Sequence, residues 1–244
     1  MKSLKNTNSY SWLYGLHAVE SALKYHSYAV KELKIAENQK QLINLFKDKY
    51  KFPVSTVESN FFKDFPKGNQ KIAALVDLNF KQVSIEDLIS EHYDDLCLVA
   101  FDGITDPQNL GSCIRSAKAL NATGIIIQKH NNCSITPLVH KISAGAASCL
   151  PIYIVNNLHQ SILKLKKLGV WIFGTSEHAE YLLTTYKDKK PSLIVFGSEG
   201  KGIRPVILKE LDYLFSIPTN DAFQSLNISM ACSICLYHFQ KICN

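Results

Sequence analysis

From residue 96 onward, short apolar runs alternate with segments in which apolar positions recur every three or four residues. The first pattern is typical of buried strands and the second of amphipathic helices. Predicted strands cover 96–101, 124–128, 151–155, 170–175, 193–197 and 213–217, and predicted helices cover 110–120, 137–147, 158–168, 205–211 and 226–240. Strands and helices that alternate in this way form a mainly parallel sheet covered on both faces, so the predicted fold class is α/β.

The first 80 residues predict a smaller α/β unit with its own core. Its predicted helices cover 13–24 and 41–50, and its predicted strands cover 30–36, 54–57 and 71–78. Residues 81–95 are charged and lack a strong period, which favours a linker with one short helix. The predicted domains are therefore 1–80 and 96–244, joined by 81–95.

The last predicted helix follows a polar loop. Its apolar residues Leu226, Met230, Ile234 and Tyr237 recur at helical spacing, which predicts one buried face. Ser225 is the best N-cap candidate, because its hydroxyl can accept from the unpaired N–H groups of the first turn. Asn227 is a mediocre helix former, and its amide offers both a donor and an acceptor to a ligand.

Composition indicates an ordinary globular chain, with 46% hydrophobic and 20% charged residues. No run approaches the 18 apolar residues of a transmembrane helix, and the first residues lack the apolar core of a secretory signal. We therefore expect a cytoplasmic protein that does not enter a membrane. The seven cysteines argue against a disulfide framework, and Cys232 and Cys235 lack the second ligand pair of a zinc site, so we expect no metal.

The charge adds a hint about partners. The net charge of +6 modestly favours a polyanion such as nucleic acid. Of 27 basic residues only Arg115 and Arg204 are arginines. In a chain that otherwise uses lysine, a guanidinium is expected where planar, forked hydrogen bonding is needed.

Three polar segments follow predicted strands, where ligands of parallel sheets gather. Residues 102–117 read DGITDPQNLGSCIRSA, with Asn109 and Arg115 six residues apart; residues 196–203 read FGSEGKGI; and the third segment contains SIP and SLNIS. Together, in this order, they resemble the three motifs of the SpoU/TrmH family of RNA ribose 2′-O-methyltransferases. The resemblance is specific because three ordered motifs carry it.

The resemblance has implications for architecture. It implies a C-terminal trefoil knot, which periodicity alone does not predict because knots are very rare. It also implies that the N-terminal domain is a small RNA-binding domain like that of certain ribosomal proteins. A homodimer with the last helix at the interface is expected as well.

The second motif decides between cofactors. It has neither the glycine spacing of a dinucleotide fingerprint nor a P-loop, so a nicotinamide-dependent oxidoreductase rests on the α/β pattern alone. The resemblance instead implies S-adenosylmethionine. The cofactor-binding residues that it implies are Thr175, Gly197, Ile217 and Leu226.

The resemblance also implies catalytic roles. Arg115 would act on the ribose 2′-hydroxyl, and the residues that hold substrate and catalyst in place would be Asn109, Glu199, Ser225 and Asn227. From the residues alone, Arg115 could be a surface charge, Asn109 an N-cap and Glu199 a solvated carboxylate. Because arginine is too weakly acidic to serve readily as a base, electrostatic stabilisation of the alkoxide is an alternative.

The expected activity is methylation of a guanosine in large-subunit ribosomal RNA, with RNA as the partner. Two alternatives stay open. The chain could be an RNA-binding relative that no longer catalyses, because Asp221 stands where the third motif usually has glycine. It could also be a tRNA 2′-O-methyltransferase of the same family.

Overall fold

The computed structural model describes residues 10–50, 52–79, 83–220 and 226–243, in two compact units. The first unit combines the chain up to residue 82 with residues 135–149, and the second holds 83–134 and 150–244. Residues 135–149, which lie within the predicted domain 96–244, are grouped with the first unit by their contacts. The predicted boundaries at 80 and 95 stay a prediction.

The elements of the described chain are numbered in chain order. Its α-helices are α1 Leu16–His26, α2 Lys40–Tyr50, α3 Ile85–His92, α4 Pro107–Ala119, α5 Pro137–Ile142, α6 Leu158–Lys167, α7 Pro205–Leu208 and α8 Ile228–Cys243. Its strands are β1 Tyr10–Tyr14, β2 Val30–Ala36, β3 Val54–Val57, β4 Ile72–Asp77, β5 Cys97–Asp102, β6 Gly124–Gln128, β7 Ile152–Val155, β8 Trp171–Thr175, β9 Tyr181–Leu182, β10 Ser192–Gly197 and β11 Tyr213–Ser216.

The first unit is built on a four-stranded sheet in the order β1-β4-β2-β3. β4 runs antiparallel to β1 and β2, and β3 runs parallel to β2. The predicted helix 13–24 was wrong at its start, because Gly15, at φ 90°, separates strand β1 from helix α1. The core contains Leu13, Val19, Leu33, Phe46 and Ile72, each fully buried.

A buried histidine lies in the segment 135–149 of this unit. His140, on α5, is 1% exposed, and its Nδ1 lies 3.0 Å from Ser148 Oγ. The carbonyl of Ser148 lies 2.5 Å from His26 Nε2. Burial, with a smaller contribution from the charge of His26, lowers the pKa of His140 to about 4. His140 is therefore neutral at neutral pH.

This histidine predicts acid sensitivity. Because its pKa is lower in the folded than in the unfolded chain, protons favour the unfolded chain below about pH 6.5. The stabilisation is complete above that pH and is lost as the pH falls towards about 4, with about 2 kcal/mol gone at about pH 5. Urea unfolding at about pH 7.5 and about pH 5 measures this loss, with Trp12 as the reporter in a Trp171→Phe background.

The matched variants are His140→Asn and His17→Asn. His140→Asn should flatten the pH dependence, whereas His17→Asn, which alters an exposed histidine in the same unit, should keep it. Equal pH slopes in the wild type and His140→Asn would contradict the assignment.

The second unit contains a seven-stranded sheet in the order β7-β6-β5-β10-β8-β11-β9, and every neighbouring pair is parallel. The predicted parallel α/β sheet is confirmed, with β9 as a short strand that was not predicted. Helices α3 and α6 pack with the central strands in one apolar core, and α4 packs against α8.

The strand order indicates where a functional site lies. The chain runs from β5 through β6 to the edge strand β7, then returns to build β8 and β10 on the other side of β5. The order therefore reverses between β5 and β10, whose ends Asp102 and Gly197 are paired. In open parallel sheets, ligands bind beyond the carboxyl ends at such a reversal.

The predicted buried face of the last helix was wrong. Met230, Ile234 and Tyr237 are 55%, 40% and 61% exposed. Among the side chains of α8 that the structure describes, the buried ones are Ile228, Cys232, Cys235, Leu236 and Phe239. The apolar stripe read from the sequence is therefore present but faces solvent in the single chain.

Cys232 and Cys235 are packed within the second unit. A contact with Cys113, together with burial, raises the pKa of Cys232, and burial raises that of Cys235 to about 12. Both are therefore neutral thiols at neutral pH. Within 10–50, 52–79, 83–220 and 226–243, no group of three or more His, Cys, Asp or Glu side chains could hold a metal ion. Over the same described residues, no helix has the length and apolar character needed to cross a membrane.

Candidate active site

The first motif begins α4. Asp106 is the N-cap, since its carboxylate accepts from Gln108 N, and Pro107 takes the first helical position. Asn109 is therefore not the cap, contrary to the alternative reading of the sequence. It lies in the first turn with its side chain available for contacts outside the helix.

The second motif is a tight loop after β10. Ser198 N donates to Gly202 O at 3.1 Å, and Gly202 N donates to Ser198 O at 2.9 Å. These two bonds close the loop and leave Glu199 exposed near its tip. A Cβ at Gly197 would overlap the backbone of Gly202 and Ile203, so the return of the chain requires glycine there.

The third motif begins α8. Asn227 directly precedes the helix, and its Oδ1 accepts from Ser229 N at 2.8 Å and from Ser229 Oγ at 2.7 Å. These are the bonds of an N-cap, so Asn227 caps the described start of the helix. Ser225, the predicted cap and catalytic residue, lies outside the described residues.

Side chains of the three motifs meet at one point. Asn109 Nδ2 lies 2.9 Å from Glu199 Oε1, and Asn227 Nδ2 lies 2.9 Å from Asn109 Oδ1 and 3.4 Å from Glu199 Oε1. Because Ser229 N can only donate, Asn227 must present its oxygen there and its Nδ2 to Asn109. Because Asn109 Oδ1 accepts from Asn227 Nδ2, the Nδ2 of Asn109 must face the carboxylate of Glu199. We call Asn109, Glu199 and Asn227 the motif hub.

The motif hub predicts that Asn227→Asp keeps the cap of helix α8 but impairs catalysis. Aspartate still accepts from Ser229 N, and its negative charge at the helix N-terminus offsets the repulsion from the exposed Glu199, so the free energy of unfolding should stay near wild type. Its second oxygen, however, would face the oxygens of Asn109 and Glu199, and we expect the rate of the methyl transfer that the family resemblance implies to fall about tenfold. Asn227→Ala should lose about 1 kcal/mol of stability as well, because it also lacks the cap. Thermal unfolding and a methylation assay measure the two effects. Wild-type turnover in Asn227→Asp would contradict a role for the hub.

A cavity of about 690 Å³ opens beyond the ends of β8, β10 and β11. Its lining includes all four residues predicted to bind a cofactor: Thr175, Gly197, Ile217 and Leu226. Glu199 and Asn227 of the hub also line it. We call it the cofactor cavity. Its volume lies in the range of small-molecule sites, and its lining mixes apolar with polar and charged side chains, so it suits a ligand that has both an apolar and a polar part.

A second cavity, of about 490 Å³, lies beyond the ends of β5 and β6. Glu199 lines both cavities, whereas Asn109 lines only the second. The hub therefore forms part of the wall between them. We call this space the second cavity.

Asp102, Gln128 and Arg204 line the second cavity, and none of them was predicted as a site residue. Arg204 Nε donates to Asp102 Oδ1 at 2.7 Å, and its terminal nitrogen donates to Gln128 Oε1 at 2.9 Å. The signal in the sequence was the rarity of arginine, which marked Arg204 without assigning it a role.

Arg115 is not brought to the hub. It is exposed on α4, lines neither cavity, and makes no hydrogen bond or ion pair with the described part of the chain. Its predicted catalytic role remains a proposal, since contacts with RNA lie outside a single chain.

Comparisons with known proteins agree with this arrangement. A model of the SpoU rRNA Methylase family matches residues 96–237, and a model of RNA 2′-O ribose methyltransferase substrate binding matches residues 12–79. The 23S rRNA (guanosine-2′-O-)-methyltransferase RlmB of Pseudomonas syringae pv. tomato is 33% identical over 233 residues, which cover 92% of this chain and 93% of the relative. The protein of that name from Shewanella oneidensis is 34% identical over 236 residues, which cover 92% and 94%.

Solved structures show the same fold. The SpoU methyltransferase AviRb from Streptomyces viridochromogenes matches with a TM-score of 0.81 at 22% identity, over 96% of this chain and 89% of that one. AviRb in complex with the cofactor AdoMet matches with a TM-score of 0.80 at 21% identity, over 98% and 94%. The family resemblance read from the three motifs is confirmed, and the chain belongs to the SpoU rRNA methylase family.

Proposed function

We propose that this chain transfers a methyl group from S-adenosylmethionine to the ribose 2′-hydroxyl of a guanosine in large-subunit ribosomal RNA. The relatives named above carry this activity in their names and align over almost the whole chain. The single observation that carries the proposal is the meeting of three motifs at one hub beside the cofactor cavity.

The cofactor cavity fits the proposed donor. Ile217 and Leu226 offer apolar surface for an aromatic ring, and the backbone around Gly197 offers donors and acceptors at close range. Thr175 adds a hydroxyl at the end of β8. Bound S-adenosylmethionine would supply a methyl group that its sulfonium already activates.

The protein must then orient the sugar and help the hydroxyl lose its proton. The hub is suited to orientation, because its internal hydrogen bonds fix Asn109, Glu199 and Asn227 relative to one another. We assign Arg115 to the 2′-oxygen once RNA is bound, where its charge stabilises the developing alkoxide. Ser225, from the same motif as Asn227, is assigned to the same site by the family pattern.

The N-terminal unit supplies RNA binding in this proposal. Its match to the substrate-binding model of RNA 2′-O ribose methyltransferases supports that role. Both relatives named above act on 23S rRNA, which favours ribosomal RNA over tRNA. We also propose that the protein acts in the cytoplasm, because its proposed substrate is ribosomal RNA.

Calorimetry with S-adenosylmethionine tests the proposal against its main alternative. We expect saturable binding of one cofactor per chain. A chain that binds ribosomal RNA but takes up no cofactor would instead be an RNA-binding relative without catalysis. A separate assay with S-adenosylmethionine that carries a labelled methyl group tests the second alternative. Transfer of label to tRNA and not to ribosomal RNA would favour the tRNA enzyme.

We further propose that the C-terminal segment forms the trefoil knot of the family and that the protein is a homodimer through α8. The exposed apolar stripe of Met230, Ile234 and Tyr237 supports α8 as the interface. Covering such a stripe with a second copy removes apolar surface from water and so stabilises the dimer.

The dimer predicts an effect of Ile234→Asp. A carboxylate in the centre of the stripe would be desolvated on association, so we expect the variant to elute as a monomer where the wild type elutes at twice the mass of the chain. Light scattering at micromolar concentration measures this. Ile154→Asp, at an exposed isoleucine of the edge strand β7, should leave the mass unchanged. A wild type that elutes as a monomer would contradict the dimer.

A further inference from the structure

Arg204 has no part in the chemistry proposed above, although it is one of only two arginines in the chain. Two strand ends hold it in place. Asp102, at the end of β5, accepts from both Arg204 N at 2.9 Å and Arg204 Nε at 2.7 Å. Gln128, at the end of β6, accepts from the terminal nitrogen. These bonds fix both the position and the plane of the guanidinium.

The fixed guanidinium keeps donors for a ligand. The carboxylate of Asp102 is 3% exposed, whereas the side chain of Arg204 is 45% exposed and lines the second cavity. A guanidinium has five N–H donors, and the two side-chain bonds use two of them, so three remain. Because Gln128 presents its oxygen to Arg204, its amide nitrogen is a further donor at the cavity. Arg204 and Gln128 therefore present a rigid, planar set of donors to the second cavity.

The remaining lining indicates what kind of ligand fits. Asp106 and Glu199 bring two carboxylates to the same cavity as Arg204 and Lys201. A phosphate group carries negative charge and only acceptors, so these carboxylates oppose its binding. A nucleobase is uncharged and has both donors and acceptors along its edges. The mixed lining favours a base over a phosphate.

We infer that the second cavity binds the guanine base of the target nucleotide, with Arg204 donating to O6 and N7. Guanine presents these two acceptors side by side, and a planar guanidinium matches them with two parallel hydrogen bonds. The hub separates this cavity from the cofactor cavity, so a base held here leaves its ribose beside the hub. Arg204 then determines specificity for guanosine, and Asp102 and Gln128 are positioning residues. The assignment depends on the proposed function, because that function supplies a guanosine as substrate.

The test uses the full chain and three RNAs that differ in one atom group. Once the methylated position is mapped, fragments of the ribosomal RNA are ligated with guanosine, inosine or 7-deazaguanosine at that position. Inosine keeps O6 and N7 but lacks the amino group, whereas 7-deazaguanosine lacks the N7 acceptor. The initial rate of 2′-O-methylation at low RNA concentration is measured for each. For the wild type, we expect the inosine RNA to react within about threefold of guanosine and the 7-deazaguanosine RNA about tenfold more slowly.

Variants connect this contrast to Arg204. In Arg204→Ala, the guanosine RNA should react about tenfold or more slowly, and the contrast with 7-deazaguanosine should disappear. Lys201→Ala, which removes an exposed cation from the same cavity, should slow all three RNAs equally and keep the contrast. The contrast is a ratio of rates within one variant, so it does not depend on how much of the protein is folded. Should Arg204→Ala not fold, Gln128→Ala tests the same contact and should show a reduced contrast.

Each other outcome counts against the inference. If the wild type methylates guanosine and 7-deazaguanosine RNAs at equal rates, Arg204 does not bind N7, and a uniform loss in Arg204→Ala would then assign it to a phosphate. If Arg204→Ala keeps the tenfold contrast, another residue binds N7. In both cases the proposed function stands. If the wild type transfers no methyl group to the guanosine RNA, the proposed function fails and the base site fails with it.

Discussion

Replacing Arg115 with alanine is expected to lower the rate of methyl transfer about a hundredfold to a thousandfold, the usual cost of removing one stabiliser of transition-state charge. The reason is that the chain has only one other arginine, Arg204, and its remaining donors are assigned to the guanine base and not to the 2′-oxygen. Cofactor binding should not change, because Arg115 does not line the cofactor cavity. Single-turnover methylation and calorimetry with S-adenosylmethionine measure the two quantities.

The matched control is Lys118→Ala, which removes another exposed cation from the same helix. We expect it to keep most of its activity. Arg115→Lys should fall between the two, because it keeps the charge but loses the planar fork. Turnover retained by Arg115→Ala would remove this residue from the mechanism.

Replacing Gly197 with alanine is expected to abolish cofactor binding. A Cβ at this position overlaps the backbone of Gly202 and Ile203, which is not a flexible side chain that can move aside. The loop that carries Glu199 would have to shift away from β10, and both the cofactor cavity and the motif hub would change shape. We expect no detectable binding of S-adenosylmethionine by calorimetry and no methylation.

A second glycine of the same sheet controls for a general loss of stability. Gly124 begins β6, and a Cβ there would meet the ends of the Leu98 and Leu88 side chains at 3.1 and 3.3 Å, which can adjust. Gly124→Ala should therefore keep its affinity for the cofactor. If Gly197→Ala binds the cofactor as the wild type does, the site does not depend on the close approach of this loop.

Much of the sheet could be predicted because each strand is a short apolar run bounded by turn residues. The predicted and observed bounds of β2, β3 and β6 agree. β1 was missed because its apolar residues continue directly into the pattern of α1, and only the positive φ of Gly15 separates the two. β9 has two residues, too few for any period.

Helix α8 shows why periodicity can select the wrong face. Its buried face combines Ile228, Leu236 and Phe239 with two cysteines, and its exposed stripe of Met230, Ile234 and Tyr237 is also apolar, so two faces of the helix compete for the core. A stripe that a second copy covers, as in the proposed dimer, would have the same sequence pattern as a stripe that faces the core. Sequence alone does not separate the two.

The site was predicted through motifs, but its internal contacts were not. Nothing in the spacing of Asn109, Glu199 and Asn227 indicates which amide faces which, and only the donor Ser229 N settles the order. Asp102 and Gln128 were missed because Asp102 only opens the first motif, Gln128 only ends the predicted strand 124–128, and nothing in the sequence connects either of them with Arg204. Their role follows from Arg204, which is distant from both in sequence.

The most direct test is to map ribose methylation in ribosomal RNA treated with the purified chain. RNA from cells that lack the protein is incubated with S-adenosylmethionine carrying a labelled methyl group, and positions that resist alkaline cleavage are mapped, since a 2′-O-methyl group blocks that reaction. We expect label at one position, a guanosine of the large-subunit RNA, and resistance to alkaline cleavage at that nucleotide. Label on a base, label confined to tRNA, or no transfer at all would contradict it.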